Sequence, residues 1–228
     1  VGQGELYTLT ATLKQQDQGI DSYRTRFGIR TVEVKGNQFL LNGKPVIFKG
    51  FGKHEDFDVI GKGLSHPLVI KDYDLMQWIG ANSFRTTHYP YAEEWLDMAD
   101  ELGILVISEN PFVGLGTRMY TDEILAKALP VVEEHMRRDF NHPSVIMWSL
   151  ANEPNSNGVL DTPEKHDACM NFFTRIMEKA KSIDTSRPFT YAMHVNVEDN
   201  PMGHLFDVVS INKYYGWYDY PGLLEESL

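Results

Sequence analysis

NHPSVIMWSLANEP, residues 141–154, decides how the rest of the chain is read. Its centre, Val145 to Leu150, is almost wholly apolar and rich in β-branched and large side chains. A run of this kind suits a parallel strand buried on both faces. Asn152, Glu153 and Pro154 follow at once, so an amide and a carboxyl group stand where a buried sheet meets solvent. A carboxyl held half out of water has its charged form disfavoured. Its pKa is therefore expected to rise, which suits an acid working near neutral pH.

Outward from this strand, the chain alternates between short apolar runs and helical patterns. The predicted strands are Val46 to Phe51, Ser83 to His88, Ile104 to Ser108, Val145 to Leu150, Phe189 to His194 and Val208 to Asn212. The predicted helices cover Asp72 to Ile79, Ala92 to Leu102, Asp122 to Phe140 and Thr162 to Ile183, with a further one starting at Leu223 to Leu228. Gly103 suits a helix C-terminus. Thr162 followed by Pro163 suits a start. Phe172, Phe173, Ile176, Met177 and Ala180 recur at helical spacing and read as core. Strand–helix alternation implies a parallel sheet with right-handed crossovers. The expected fold class is α/β: a partial (β/α)8 barrel with about six of its eight units.

The N-terminal segment reads differently. Leu6 to Leu13 alternates as a half-buried antiparallel strand would. Lys14 to Gly19 reads as a turn and Ile20 to Phe27 as a second strand. Together they look like the last hairpin of a β-sandwich. Asn42-Gly43, between two short strands, predicts a type I′ hairpin.

Bulk properties exclude some classes. The 228 residues carry 21 basic and 32 acidic side chains, a net charge of −11. This argues against nonspecific binding to nucleic acid or an acidic membrane. A few local basic groups can still bind one carboxylate. No apolar run is long enough to span a bilayer. The single cysteine, Cys169, cannot form an internal disulfide and reads as a small buried hydrophobe on a helix. No Asn-x-Ser/Thr sequon is present, which weighs against a glycosylated lysosomal or secreted product. The compartment stays open, with a bacterial cytoplasm slightly favoured.

The polar residues gather at the C-terminal ends of the predicted strands, the catalytic rim of a barrel. They are Gly52-Lys53-His54-Glu55-Asp56, Arg85-Thr86-Thr87-His88-Tyr89-Pro90, Ser108-Glu109-Asn110-Pro111, Asn152-Glu153-Pro154 and Asn212-Lys213-Tyr214-Tyr215-Gly216-Trp217-Tyr218. With NHPSVIMWSLANEP, these segments resemble the family-two glycoside hydrolases and, more narrowly, the β-glucuronidases. The resemblance covers about residues 27 to 228. It implies that Phe27 to Val34 links the family's immunoglobulin-like β-sandwich to its barrel, with a boundary near Gly28 to Arg30, so that residues 1–29 belong to the sandwich and 30–228 to the barrel.

The resemblance implies a retaining glycosidase releasing glucuronic acid from β-glucuronide conjugates or oligosaccharides. Glu153 would be the general acid/base and Asn152 would bond the sugar 2-hydroxyl. Arg85 would keep the nucleophilic carboxylate ionised, His88 would bind sugar hydroxyls, and His54 would edge the pocket. Tyr214 would reach the nucleophile and Tyr218 the sugar carboxylate. His194 reads as structural. Glu109 is expected to hydrogen-bond within the barrel mouth. Asn110-Pro111-Phe112 does not match the ion site of the galactosidase branch, so neither metal nor cofactor is expected. The family's nucleophile lies in a segment like Thr-Glu-Tyr-Gly on a seventh strand, which this stretch does not contain. Taken alone, the 228 residues are therefore expected to be inactive and, with strand edges open, prone to aggregate. The full-length protein would be a homo-oligomer, a tetramer. The alternatives are a β-galactosidase or β-galacturonidase of the same family, a metal-dependent barrel using His54, His88 and His194, or a non-catalytic carbohydrate-binding protein.

Overall fold

The computed structural model describes residues 4–155, 160–194, 201–223 and 225. Three sheets form. A two-stranded hairpin pairs β1 (Tyr7–Gln15) with β2 (Gln18–Phe27). A three-stranded antiparallel sheet joins β3 (Val32–Lys35), β4 (Gln38–Leu41) and β5 (Lys44–Val46). The third sheet is parallel and runs in sequence order through β6 (Gly50–Lys53), β7 (Ser83–Thr86), β8 (Leu105–Glu109), β9 (Val145–Asn152), β10 (Phe189–Met193) and β11 (Val208–Ile211). Between its strands lie α1 (His66–Trp78), α2 (Glu93–Leu102), α3 (Asp122–Asp139) and α4 (Pro163–Lys181). Six parallel strands in unbroken order are six of the eight of a (β/α)8 barrel.

The decisive strand behaves as its composition dictates. Every residue of β9 is buried. Its outward face packs Trp148 and Leu150 into one core with Tyr73, Trp95, Val132, Phe172 and Phe173 from the four helices. Burial of each such side chain contributes about 1.5–3 kcal/mol. Trp148 also donates its indole N–H to Asp184 at 2.8 Å, and Arg187 donates to the same oxygen at 2.8 Å. A smaller cluster of Leu105, Ile146 and Met147 packs on Val32, Phe39, Leu41, Val46 and Phe48. The three-stranded sheet thus plugs the barrel at the N-terminal end of its strands.

Helix ends follow local chemistry. Thr121 and Thr162 accept backbone N–H bonds from Ile124 and Lys165 and so cap α3 and α4. Gly103 ends α2 in the left-handed region, φ +65°. Asn42 and Gly43 take φ +51° and +72°, the type I′ geometry their pairing predicts. Among the described helices none is long and apolar enough to cross a membrane.

Three expectations are corrected. The N-terminal hairpin is exposed within the described residues. Its turn is two residues, Gln16 and Asp17, both at positive φ, and not six. The first barrel strand is Gly50–Lys53, because Val46 belongs to the plug. Gly50 lies so close to β7 that an added Cβ would fall 1.7 Å from the Ser83 carbonyl oxygen, so only glycine lets the two strands pair here. Finally, α1 starts at His66, with Pro67 in its first turn, six residues before the expected Asp72. The helix expected over 223–228 falls largely outside the described residues.

Candidate active site

The polar strand ends converge at the mouth opposite the plug. Glu109 ends β8 and is fully buried. Its Oε2 accepts from the Ser149 hydroxyl at 2.7 Å and lies 3.4 Å from Arg85 Nε. Its Oε1 meets His88 Nδ1 at 2.8 Å. A buried carboxylate survives only with such partners. The expected role of Glu109, a hydrogen-bonding group in the barrel mouth, is what the structure shows.

Arg85 reaches across the mouth to β9 and beyond. It donates to Asn152 Oδ1 at 3.3 Å and to Asn212 Oδ1 at 3.5 Å. Asn212, just past β11, donates through Nδ2 to Asn152 Oδ1 at 3.0 Å and to Glu153 Oε1 at 2.8 Å. The Tyr214 hydroxyl donates to the same Glu153 oxygen. Arg85, Asn152, Glu153, Asn212 and Tyr214 therefore form one connected group.

Adjacent residues of a regular strand point to opposite faces, so Asn152 and Glu153 should not meet a common partner. Two features set their directions. Against β10, the register passes from Thr190↔Ser149 to Ala192↔Asn152, so β9 carries one extra residue between Ser149 and Asn152. Such a bulge re-aims side chains near functional sites. Glu153 then takes φ +47°, a left-handed conformation rare for a residue with a Cβ. Neither device is visible in the sequence.

The electrostatics of Glu153 also differ from expectation. Burial raises its pKa, as anticipated. The bonds from Tyr214 and Asn212, with the nearby charges of His194 and His88, outweigh burial and leave it below the usual carboxylate value. The Tyr214 phenol is pushed up to about 12 by burial and by its bond to Glu153.

The remaining candidates stand further out. His54 Nδ1 lies 3.3 Å from the Tyr89 hydroxyl, and its ring sits edge-on to His88 at 5.8 Å. Tyr218 is 72 % exposed and packs edge-on against Tyr214, with ring centroids 5.2 Å apart. Tyr214, expected to reach the nucleophile, here donates its hydroxyl to Glu153. Asn212 carried no assigned role in the sequence, although its place at a strand end was the available signal. His194 read as structural, and it is among the residues near Glu153 that lower its pKa.

A trio with metal-ligand chemistry, Asp97, Asp100 and His142, lies at the plugged end. There Asp100 accepts from the Ser144 N–H at 2.8 Å and pairs with His142 at 2.7 Å, while Arg26 lies 3.6 Å from Asp97. These atoms already have partners, and their place is before β9, away from the mouth.

Residues 32–228 match the family model described as glycosyl hydrolases family 2, TIM barrel domain. The chain is 44% identical to a β-glucuronidase of Paenibacillus borealis over 98% of this chain and 38% of the relative. It is 43% identical to the human β-glucuronidase over 96% of this chain and 33% of the relative. Among solved structures, Bifidobacterium dentium β-glucuronidase complexed with coumarin-3-O-glucuronide superposes with a TM-score of 0.88 at 42% identity. That match covers 97% of this chain and 36% of the other. The chain thus spans between a third and two-fifths of the length of these relatives.

Proposed function

The chain belongs to the glycosyl hydrolases of family 2, and from that premise we propose that it carries the acid/base half of a retaining β-glucuronidase site. The observation that carries this reading is the joint presentation of Asn152 and Glu153 into the barrel mouth, both bonded by Asn212.

The chemistry follows in two displacements. Glu153, protonated, gives its proton to the glycosidic oxygen as the bond from that oxygen to the anomeric carbon breaks. A second carboxylate attacks the anomeric carbon and forms a glycosyl-enzyme ester. Glu153, now ionised, takes a proton from water. That water attacks the same carbon, expels the second carboxylate and releases the glucuronic acid. The two carboxyl groups of a retaining pair stand about 5–5.5 Å apart. Glu109 is unsuited to be the second one, since it is fully buried and both its oxygens are engaged. By family resemblance that group is a Glu of a seventh strand. Its negative charge would push the Glu153 pKa back up, as a carboxyl pair sharing one site requires.

Asn152 is assigned to the sugar 2-hydroxyl and His88 to the sugar hydroxyls, with His88 held at Nδ1 by Glu109 so that Nε2 faces outward. Arg85 supports the charge of the second carboxylate. His54 edges the pocket and Tyr218 reaches the sugar carboxylate. Residues 1–29 are assigned to an immunoglobulin-like sandwich and 30–228 to the barrel. The intact protein is assigned as a homotetramer, which a size measurement in solution checks.

The test is hydrolysis of an aryl β-glucuronide by the intact protein, with the matching β-galactoside and β-galacturonide in parallel, repeated with Glu153→Gln. Glucuronide-selective cleavage that collapses in the variant is expected. Preference for another glycoside, or unchanged activity in the variant, would overturn the assignment.

A further inference from the structure

Glu153 is the first of two left-handed residues. Asn155 takes φ +68°, so the turn through the buried Pro154 is bracketed by φ +47° and φ +68°. A left-handed Glu is unfavourable and persists only where its surroundings over-determine it. Four backbone bonds supply part of the constraint. The Glu153 N–H donates to Ala192 O at 2.7 Å and the Asn152 N–H to Phe112 O at 2.8 Å. The Gly114 N–H donates to Asn152 O at 2.9 Å and the Asn155 N–H to Leu115 O at 2.7 Å.

The remaining constraint is made by side chains. Asn155 Oδ1 accepts from the Tyr120 hydroxyl at 2.6 Å, and Asn155 Nδ2 faces Cys169 Sγ at 3.6 Å. Both partners are buried, and the Tyr120 ring is seated against Phe172 and Phe173 of α4. Asn tolerates the left-handed region better than other residues with a Cβ. Here its carboxamide is also tied to the helix layer behind the sheet. The far end of the Glu153 turn is thereby anchored to groups that lie outside the connected site.

We propose that Asn155, anchored by the Tyr120 hydroxyl and the Cys169 thiol, is a positioning residue for proton donation by Glu153. The inference rests on the reading of Glu153 as general acid/base. Loss of the anchor lets the turn relax and moves the carboxyl away from the glycosidic oxygen. The defect should then fall on proton transfer, not on sugar binding.

The experiment measures kcat/KM of the intact protein on a series of β-glucuronides, from nitrophenyl leaving groups that need no acid assistance to alkyl ones that need it fully. The variants are Tyr120→Phe and Asn155→Gly, the latter keeping the left-handed turn while deleting the anchor, with Glu153→Gln as reference. Both anchor variants should lose about tenfold or more on alkyl substrates and less than about threefold on nitrophenyl ones, following the partial loss of general acid catalysis and positioning. A uniform fall across the series, or no fall, overturns the proposal while leaving the role of Glu153 intact. A flat series for Glu153→Gln itself overturns the acid/base reading beneath it. Should one anchor variant fail to fold, by its far-ultraviolet circular dichroism, the other decides.

Discussion

Removing the Tyr214 hydroxyl should raise the pKa of Glu153. Burial pushes that pKa up, and the Tyr214 bond is the largest single influence pushing it down, ahead of Asn212 and of the His194 and His88 charges. Tyr214→Phe deletes the hydroxyl and keeps the ring against Tyr218. A hydrogen bond to a charged group is worth about 1.5–3 kcal/mol. Tyr214 is 36 % exposed, and solvent screening at such a site favours the low end of that range. One pKa unit corresponds to about 1.4 kcal/mol, so the shift should be about one unit upward. On the proposed mechanism the free enzyme holds Glu153 protonated for the first displacement, and the alkaline limb of kcat/KM against pH follows that ionisation. In Tyr214→Phe this limb should move up by about one unit, read from initial rates across the pH range with an alkyl β-glucuronide, whose leaving group needs the acid. A limb that stays in place, or moves down, would show that the bond between Tyr214 and Glu153 does not control the acid.

Glu109→Ala should cost about 3–5 kcal/mol in denaturant unfolding, because it leaves Arg85 without its buried counter-charge; Glu109→Gln should cost less and act on KM by freeing His88. Asp184, held below the usual carboxylate range by Trp148, Ser186 and Arg187 against the effect of burial, contributes stability that is complete above its unfolded pKa of about 3.9 and lost as pH falls through the lower folded value. Asp184→Asn should therefore lower Tm at neutral pH and flatten the acid side of the Tm–pH curve; a parallel curve would contradict this. Hydrolysis should be unchanged by a chelator, since carboxyl, amide and phenol groups perform every assigned step, and chelator-sensitive activity would restore the metal-dependent alternative.

The sequence was most legible where one local force dominates. Val145 to Leu150 had no other reading than a doubly buried strand, and Asn42-Gly43 and Gly103 marked the backbone positions that need positive φ. It was least legible where apolar content misleads. Val46 to Phe51 looks like a barrel strand, but its Val46 and Phe48 serve the plug and Ile47 is exposed, while the true strand Gly50–Lys53 is glycine-rich so that it can approach β7. At the site, residue identities were readable and directions were not. Glu153 was recognisable from its neighbours. The bulge and left-handed turn that aim it depend on pairing with β10, and the lowered pKa depends on Asn212 and Tyr214, about sixty residues further along.

The extra residue in β9 makes the site sensitive to counting rather than to chemistry. Deleting any one residue between Ser149 and Asn152 would keep the Asn-Glu pair and nearly all of the apolar content, yet it would restore regular pairing with β10. The local bend and added twist that the extra residue gives the strand would be lost, and with them the aim of Asn152 and Glu153 into the mouth. Substitutions along this strand can vary the pocket gradually. A change in its length cannot, so variation of the mouth is confined to the loops that follow the strands, and grafting this site onto another barrel would require carrying the strand's irregularity with it.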